Sequence, residues 1–534
     1  MKSAVTYTSI LEYRKACFEK LTNKSSHHGT LILDRYARWN NDLEAYFAPF
    51  RENIIGINHC IETPFHKSQK LVYADWTASG RLYSKIEDKL KSELYPLVAN
   101  THTDTNHTGM TMTYAYHKAQ KIIKAHVGAS ANDVIICCGS GMTGAVNKFQ
   151  RILGLRLHES FKDKITLSEA DTPVIFVTHM EHHSNQTSWL ETIGDVVVVA
   201  PDERGLVCPE KFEKLLKTYT TRKTKIAAIT SCSNVTGIVT PFMKIAKIMH
   251  RAGGLCFADF ACSAPYIDIN MHEDDEAGAY LDAIYFSPHK FLGGPGTAGV
   301  LIFNKKLYKN AVPDNPGGGT VDWTNPWGGH KFVDDIEARE DGGTPAFLQT
   351  IRIAMCCNLK TAMGVDKMEA REAEILQIIW HTLDVIPNLH VLADNHRDRL
   401  GIISFYIDDL HYNLGVKMLN DRYGIQTRGG CSCAGSYGHF LLNVTEEYSN
   451  EITTMISSGD CSSKPGWIRL SIHPTHTNEE IFYICSAIKE LAEYFPKWKA
   501  DYDCDYRIGS IKSKNQDTTL DMQSAVDGCF LISD

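Results

Sequence analysis

No apolar run in the 534 residues approaches the ~20 that a membrane-spanning helix needs, so no contact with a membrane is expected. The opening stretch MKSAVTYTSILEYRK lacks the apolar core of a secretory leader. Basic residues do not outnumber acidic ones: 55 Lys and Arg stand against 63 Asp and Glu, a net charge of −8. That leaves no basic footprint for nucleic acid. The 16 cysteines form no repeated framework, and scattered thiols in a long chain point to a reducing, cytoplasmic setting rather than a disulfide scaffold. Internal repeats and long low-complexity segments are also missing.

What remains is ordinary globular composition, with 43% apolar and 22% charged residues. The length admits two or three domains, or one large domain and a small one. From about residue 130 to 303, short runs rich in Val and Ile alternate with helix-like segments. The runs are DVIICC, TPVIFVTH, DVVVVAP, KIAAITSC, LCFADF, AIYFSP and GVLIF. They are apolar throughout instead of alternating, the mark of strands buried on both faces. Segments such as PEKFEKLLKTY and MKIAKIMHRAG read as the helices between them. The expected fold is α/β: a large domain with a mostly parallel sheet flanked by helices, ligands binding at the carboxyl ends of the strands.

A smaller α+β domain is expected after it. A long helical stretch from PAFLQTIRIAMCC to IIWHTLDVI leads to strand GIISFYI, helix YNLGVKMLNDRYG, strands IQTRG and GWIRLSI, and a last helix. That helix opens with TNEE, a capping box in which Thr477 and Glu480 bond reciprocally to backbone N–H groups. The predicted division is an N-terminal extension over 1–70, a large domain over 71–350, a small domain over 351–500 and a loosely held polar tail over 501–534.

Six stretches could carry chemistry. In AIYFSPHKFLGGPG, Lys290 follows an apolar strand and precedes a loop in which four of six residues are Gly or Pro. It is either an exposed loop lysine or an amine where backbone approaches a ligand. GSGMTG, Gly139 to Gly144, follows one strand and opens a helix, as a phosphate site does. A dinucleotide site would need a second strand ending in an acid about 20 residues on. LHESFKDKITLSEAD is not such a strand. In MEHHSNQTSW, Glu181, His182 and His183 could be metal ligands, a stacking imidazole or loop residues. His102, Asp104 and His107 form a second His-rich patch. Neither has the spacing of a zinc site, and no metal is expected. Asp259 ends the strand in CFADFACSAP, where it caps the next helix or pairs with a cation. In TRGGCSCAGSYGH, Cys431 and Cys433 follow Arg428; they are passive thiols or a nucleophile activated by the guanidinium.

A phosphate cradle, a strand-end aspartate, a flat imidazole and a lysine flanked by Ser and His are together what pyridoxal 5'-phosphate requires. The order of these motifs resembles the class V aminotransferases, and among them the cysteine desulfurases and selenocysteine lyases, over roughly residues 70 to 495. YADWTASGR resembles the segment that starts the family's large domain. The resemblance implies the pyridoxal-phosphate fold type I, an amino-acid substrate and a homodimer. It makes Met142, Thr143, Ser287 and His289 phosphate contacts, and puts His182 over the cofactor ring. Asp259 falls on the pyridine-nitrogen aspartate and Lys290 on the Schiff-base lysine. Asn234 and Arg469 fall on substrate-carboxylate positions, and Thr344 in EDGGTP on a residue that reaches the partner subunit's cofactor. Arg428 and Cys433 match the arginine and nucleophilic cysteine of an R-x-G-x-x-C-A loop.

The implied activity is desulfuration of cysteine, leaving alanine and a persulfide on Cys433 for a sulfur acceptor. An aminotransferase, epimerase or lyase with Cys433 as bystander is the alternative; a non-catalytic scaffold of the same fold is a third. Cys262 stands where the family usually has a glutamine. The C-x-C form of the cysteine loop is closer to the sulfurase domain that activates molybdenum cofactor, but no recognisable second domain follows. Residues 431 and 433 are expected to point to opposite sides of an extended loop, so that one thiol faces the cofactor.

Overall fold

All seven apolar runs form strands of one sheet in the computed structural model, which describes residues 42–162, 164–515 and 519–532. They are β1 (Asp133–Cys138), β2 (Val174–Thr178), β3 (Asp195–Val199), β4 (Lys225–Thr230), β5 (Leu255–Asp259), β6 (Ala283–Phe286) and β7 (Gly299–Asn304). The order across the sheet is β1-β7-β6-β5-β4-β2-β3. Only β7 runs against its neighbours. Val174, Ile175, Phe176 and Val177 of β2 are wholly buried. Each such side chain is worth roughly 1.5–3 kcal/mol over exposure. The expectation of two buried faces fails for β3, where Val198 is 47% exposed. β3 is the sheet edge, so its pattern reflects position, which composition does not encode.

The carboxyl ends of β1, β2, β4, β5 and β6 share one edge, and the turns after them carry the candidate residues. Helix α1 (His107–His126) precedes the sheet. Helix α2 (Met142–Ile152) follows β1, α3 (His183–Leu190) follows β2, and α4 (Phe242–Arg251) lies between β4 and β5. Strand β7 enters beside the turn after β1. A Cβ at Gly299 would lie 2.1 Å from the Gly141 carbonyl oxygen, so only glycine admits this approach.

The helical stretch after residue 346 is two helices, α5 (Phe347–Met363) and α6 (Val365–Leu383), broken at Gly364 with φ 74°. The small sheet comprises β8 (Leu389–Val391), β9 (Ile402–Ile407), β10 (Arg428–Gly430) and β11 (Trp467–Ser471), all antiparallel in the order β8-β9-β11-β10. Helices α6, α7 (Tyr412–Tyr423) and α8 (Asn478–Trp498) share one apolar core with it, through residues such as Ile379, Leu414, Ile468 and Ile484.

IQTRG is not one strand. Ile425–Gln426 pairs in parallel with Val72–Tyr73, and Arg428 starts β10. Segment 72–77 is therefore stitched to the small domain: Ser471 N–H donates to Ala74 O at 2.8 Å and Thr77 N–H to Ser471 Oγ at 3.0 Å. The capping box forms by half. Thr477 accepts from Glu480 N–H, but the Glu480 carboxylate is taken by Arg51 and Lys70. The segment expected as a loose polar tail begins with a hairpin, Tyr502–Asp505 against Ser510–Ser513. Buried Tyr502 and the stacking of Tyr506 on His411 at 4.4 Å hold it to the small domain. Two four-residue strands among polar residues show no periodicity to read.

Candidate active site

The strand-end turns and the small domain enclose a cavity of about 280 Å³. Met142, Thr143, Ser287 and His289 line one end. Here α2 starts at Gly141 with no side-chain cap, and Met142 N–H donates to Ser287 Oγ at 2.9 Å. A Cβ on Gly141 would lie 3.2 Å from Ser287 Oγ and 3.6 Å from the His289 ring, so glycine keeps this corner open. Burial, then the neighbouring Lys290, pushes the His289 imidazole down to about 4.

Lys290 and His182 line the middle. Lys290 lies just past the end of β6, where the surrounding protein lowers its ammonium below the ordinary range; Cys262 and Asp259 oppose that shift. His182 is pushed down to about 3 by burial first and Lys290 next, so its ring is neutral. Asp259, at the carboxyl end of β5 and 2% exposed, is not itself a lining residue of the cavity, though Ala261 two residues on is. Its Oδ1 accepts from Ala261 N–H at 2.8 Å, and burial raises the carboxyl to about 6 against that bond and Lys290. It thus makes the local backbone bond of a cap and also faces a cation. Cys262 lies outside the cavity lining and donates its thiol to Cys232 O at 2.9 Å.

The turn that carries His182 rests on a buried network. Glu181 accepts from Thr178 Oγ1 at 2.7 Å, from Thr230 N–H at 2.9 Å and from Asn185 Nδ2 at 2.8 Å. Asn185 Oδ1 accepts from Tyr285 O–H at 2.6 Å. These bonds tie β2, β4 and β6 under the site. Glu181 is thus a scaffold residue. Among the described residues no group of three or more His, Cys, Asp or Glu is arranged to hold a metal ion.

Arg469, Arg428 and Asn234 line the far side. Arg428 and Arg469 are directly opposite each other on β10 and β11, a repulsive pairing on its own. Asp75 resolves it: Oδ1 accepts from Arg469 Nη2 at 2.7 Å and Oδ2 from Arg428 Nε at 3.3 Å. Arg469 also donates to Asn234 O at 3.2 Å, while its buried Nε has no partner. Thr77, another lining residue, likewise buries an unpartnered Oγ1.

Cys433 lines the cavity and Cys431 does not. The loop is not extended: Ser432 and Cys433 have φ of 52° and 57°, left-handed conformations that cost about 1–2 kcal/mol per non-glycine residue. That tight turn, not strand alternation, separates the two thiols. All cysteines among the described residues are free thiols. Thr344 lies exposed outside this cavity, 3.5 Å from Asn100 Oδ1. Asp75, Thr77 and Ser432 escaped the sequence reading, and His183 was legible there only as a metal ligand, a stacking imidazole or a loop residue. YADWTASGR pointed to the right segment, but nothing in it marks Asp75 as the partner of arginines more than 350 residues away.

The class-V aminotransferase model matches residues 72–484, most of the chain and the whole of this cavity. The chain belongs to the class-V aminotransferase family. Among curated class-V relatives, a probable cysteine desulfurase of Halalkalibacterium halodurans is 27% identical over 429 residues, covering 80% of this chain and 94% of that protein. A probable cysteine desulfurase of Aeropyrum pernix is 26% identical over 377 residues, covering 68% and 85%. The fold is shared with solved structures. One is the apo cysteine desulfurase of Thermococcus onnurineus, with TM-score 0.66 and 20% identity over 83% of this chain and 98% of that one. Another is a cysteine desulfurase of Escherichia coli in its S-sulfonic acid form, with TM-score 0.64 and 19% identity over 84% and 98%.

Proposed function

We propose that the protein is a pyridoxal-phosphate-dependent cysteine desulfurase that converts L-cysteine to alanine and leaves a persulfide on Cys433. One observation carries the reading: Cys433, Lys290 and Arg469 line a single cavity. A nucleophilic thiol, an amine of lowered basicity and a carboxylate clamp then surround one small substrate.

The residues present fit the cofactor. The corner kept open by Gly141, between the uncapped start of α2, Ser287 and His289, suits a phosphate. Neutral His182 suits stacking on the cofactor ring, and buried Asp259 suits a protonated ring nitrogen. When bound, pyridoxal phosphate supplies an aldehyde for the amine groups and a ring that accepts electrons from the substrate's α-carbon. With the cofactor bound, Lys290 would be the amine that anchors its aldehyde, and it would move the substrate's α-proton. Its lowered basicity keeps more of the amine neutral at physiological pH. Arg469, with Asn234 beside it, orients the substrate carboxylate, and Arg428 adds charge at the rim. The Cys433 sulfur attacks the substrate sulfur. An S–S bond forms as the C–S bond breaks, the electron pair goes to carbon, and a proton completes alanine. No external oxidant is needed.

The exposed position of Cys433 suits hand-over of the sulfur to a protein acceptor. Thr344, on the surface away from its own cavity, supports a two-fold dimer in which it serves the partner's site. A cytoplasmic setting matches the free thiols. Among the described residues, no helix is long and apolar enough to cross a membrane.

The test is to incubate pure protein with cysteine and measure alanine and sulfide together, with Cys433→Ala beside the wild type. Wild-type alanine production by Cys433→Ala defeats the desulfurase reading in favour of an aminotransferase, epimerase or lyase. A colourless wild type that cannot be reconstituted with the cofactor points to a scaffold.

A further inference from the structure

Two consecutive left-handed residues without a glycine do not hold themselves in place. The loop carrying Cys433 is pinned from outside. Asn234 Nδ2 donates to Ser432 O at 2.7 Å, and Trp467 Nε1 donates to Ser432 Oγ at 3.2 Å. Both bonds stop one residue short of the thiol. His183 reaches Cys433 itself and the peptide after Ala434. Its backbone N–H donates to Cys433 O at 2.7 Å, and its Nε2 accepts from Gly435 N–H at 2.8 Å. His183 is the first residue of α3, directly after His182.

We propose that His183 is a positioning residue: its two hydrogen bonds to the chain just after the thiol, at Cys433 O and Gly435 N–H, fix the distance between the reactive thiol and the cofactor site. The proposal rests on the desulfurase reading for its catalytic meaning. The geometry gives a rigid ruler. The turn that places one imidazole against the cavity grips, with the next residue, the two peptide groups on either side of Ala434, immediately C-terminal to the thiol residue. The backbone half of the grip survives any substitution. The side-chain half requires an unprotonated Nε2, because Gly435 N–H is a donor.

A charged ring would set donor against donor, and the loop would let go. The titratable groups facing the ring are His182 in its own turn, Cys433 on the loop it holds, and Lys464 from the segment before β11. Partial burial, then Lys464, lowers His183 below the ordinary histidine range, which keeps the grip closed at neutral pH. The grip opens as pH falls through that lowered value.

Three full-length holoenzyme variants test this. His183→Gln keeps an acceptor, Oε1, within reach of Gly435, His183→Phe keeps the bulk without it, and His183→Ala keeps neither. Hydrogen exchange of the peptide spanning residues 432–437 is read first, since it needs no turnover. Exchange at Gly435 is expected about tenfold faster in the Ala and Phe variants, with Gln close to wild type. Alanine release is read second: kcat is expected to fall about tenfold in Ala and Phe at nearly unchanged KM, and Gln to recover most of it. Exchange at Gly435 in the wild type, corrected for the intrinsic pH dependence of exchange, should quicken relative to Gln as pH falls below 6.5, the ordinary histidine value. Wild-type exchange and kcat in both Ala and Phe would overturn the proposal, as would an acid-side loosening at Gly435 that persists in Gln. If the wild type makes no alanine, the desulfurase reading fails, and unchanged or accelerated exchange at Gly435 still decides the grip.

Discussion

Asp75→Asn should tighten substrate binding while weakening the fold. In the free protein the Asp75 carboxylate satisfies Arg469 at 2.7 Å and reaches Arg428 at 3.3 Å. Arg469 is 3% exposed in its side chain and Asp75 13%, so the closer pair is shielded from water. Arg428 is 48% exposed and contributes far less. With an effective dielectric of about 20, charges centred ~4 Å apart attract by roughly 4 kcal/mol. A substrate carboxylate on the cavity side of the same guanidinium stands about 6 Å from Asp75, a repulsion of roughly 3 kcal/mol at that dielectric. Asparagine is the same size and keeps an oxygen for Arg469 Nη2. It removes the attraction from the fold and the repulsion from the bound state.

After discounting for water in the cavity, about 1.4 kcal/mol of that repulsion should reappear as tighter binding, a factor of about ten. The fold should lose about 2 kcal/mol, less than the 3–5 typical when a buried partner is deleted outright. The assay is titration of the holoenzyme's visible absorbance with L-alanine, which carries the carboxylate but no sulfur, alongside thermal unfolding with and without alanine. Weaker alanine binding in Asp75→Asn by threefold or more would refute the reasoning. Asp75 would then be an orienting partner whose charge the substrate needs.

Lys290→Ala should abolish fixation of the cofactor to the chain by borohydride, read as a missing mass increment on the peptide spanning residues 283–296. Cys433→Ala should keep the yellow colour and its spectral response to cysteine while releasing almost no sulfide. Cys431→Ala should be milder, since Cys431 does not line the cavity. The reverse order would keep the chemistry and move it to the other thiol. Activity and sedimentation should fall together on dilution if Thr344 serves a partner's site; a fully active monomer at nanomolar concentration defeats the dimer proposal.

Those predictions differ in how early they could be written. The seven strands of the large sheet were legible because each is a short apolar run, most of them rich in Val and Ile, and every one forms. Sheet position was not legible: nothing in DVVVV distinguishes an edge strand from a central one. The hairpin after Tyr502 was hidden because its stability comes from Tyr502 and Tyr506 packing on the small domain, not from any alternation of its own. Thr477 was readable as a cap because capping is local. The fate of Glu480 was not, because Arg51 and Lys70 come from the other end of the chain.

The same division runs through the site. Lys290, Asp259, His182 and Cys433 announce themselves because each interrupts an apolar or glycine-rich context in which its side chain has little other reason to be. Asp75 and His183 do not, since their partners are Arg469, Arg428, Cys433 and Gly435, brought to them only by folding. Yet these two set the terms on which the legible residues work. Asp75 decides how much of the Arg469 charge a substrate meets, and His183 decides where the Cys433 sulfur stands when it meets one. Residues that meet a ligand are marked by local chemistry; residues that hold them are marked by distance in the fold. A search for the second kind therefore begins from committed hydrogen bonds across the chain, and in this protein it leads to one carboxylate between two arginines and one imidazole beside a strained thiol loop.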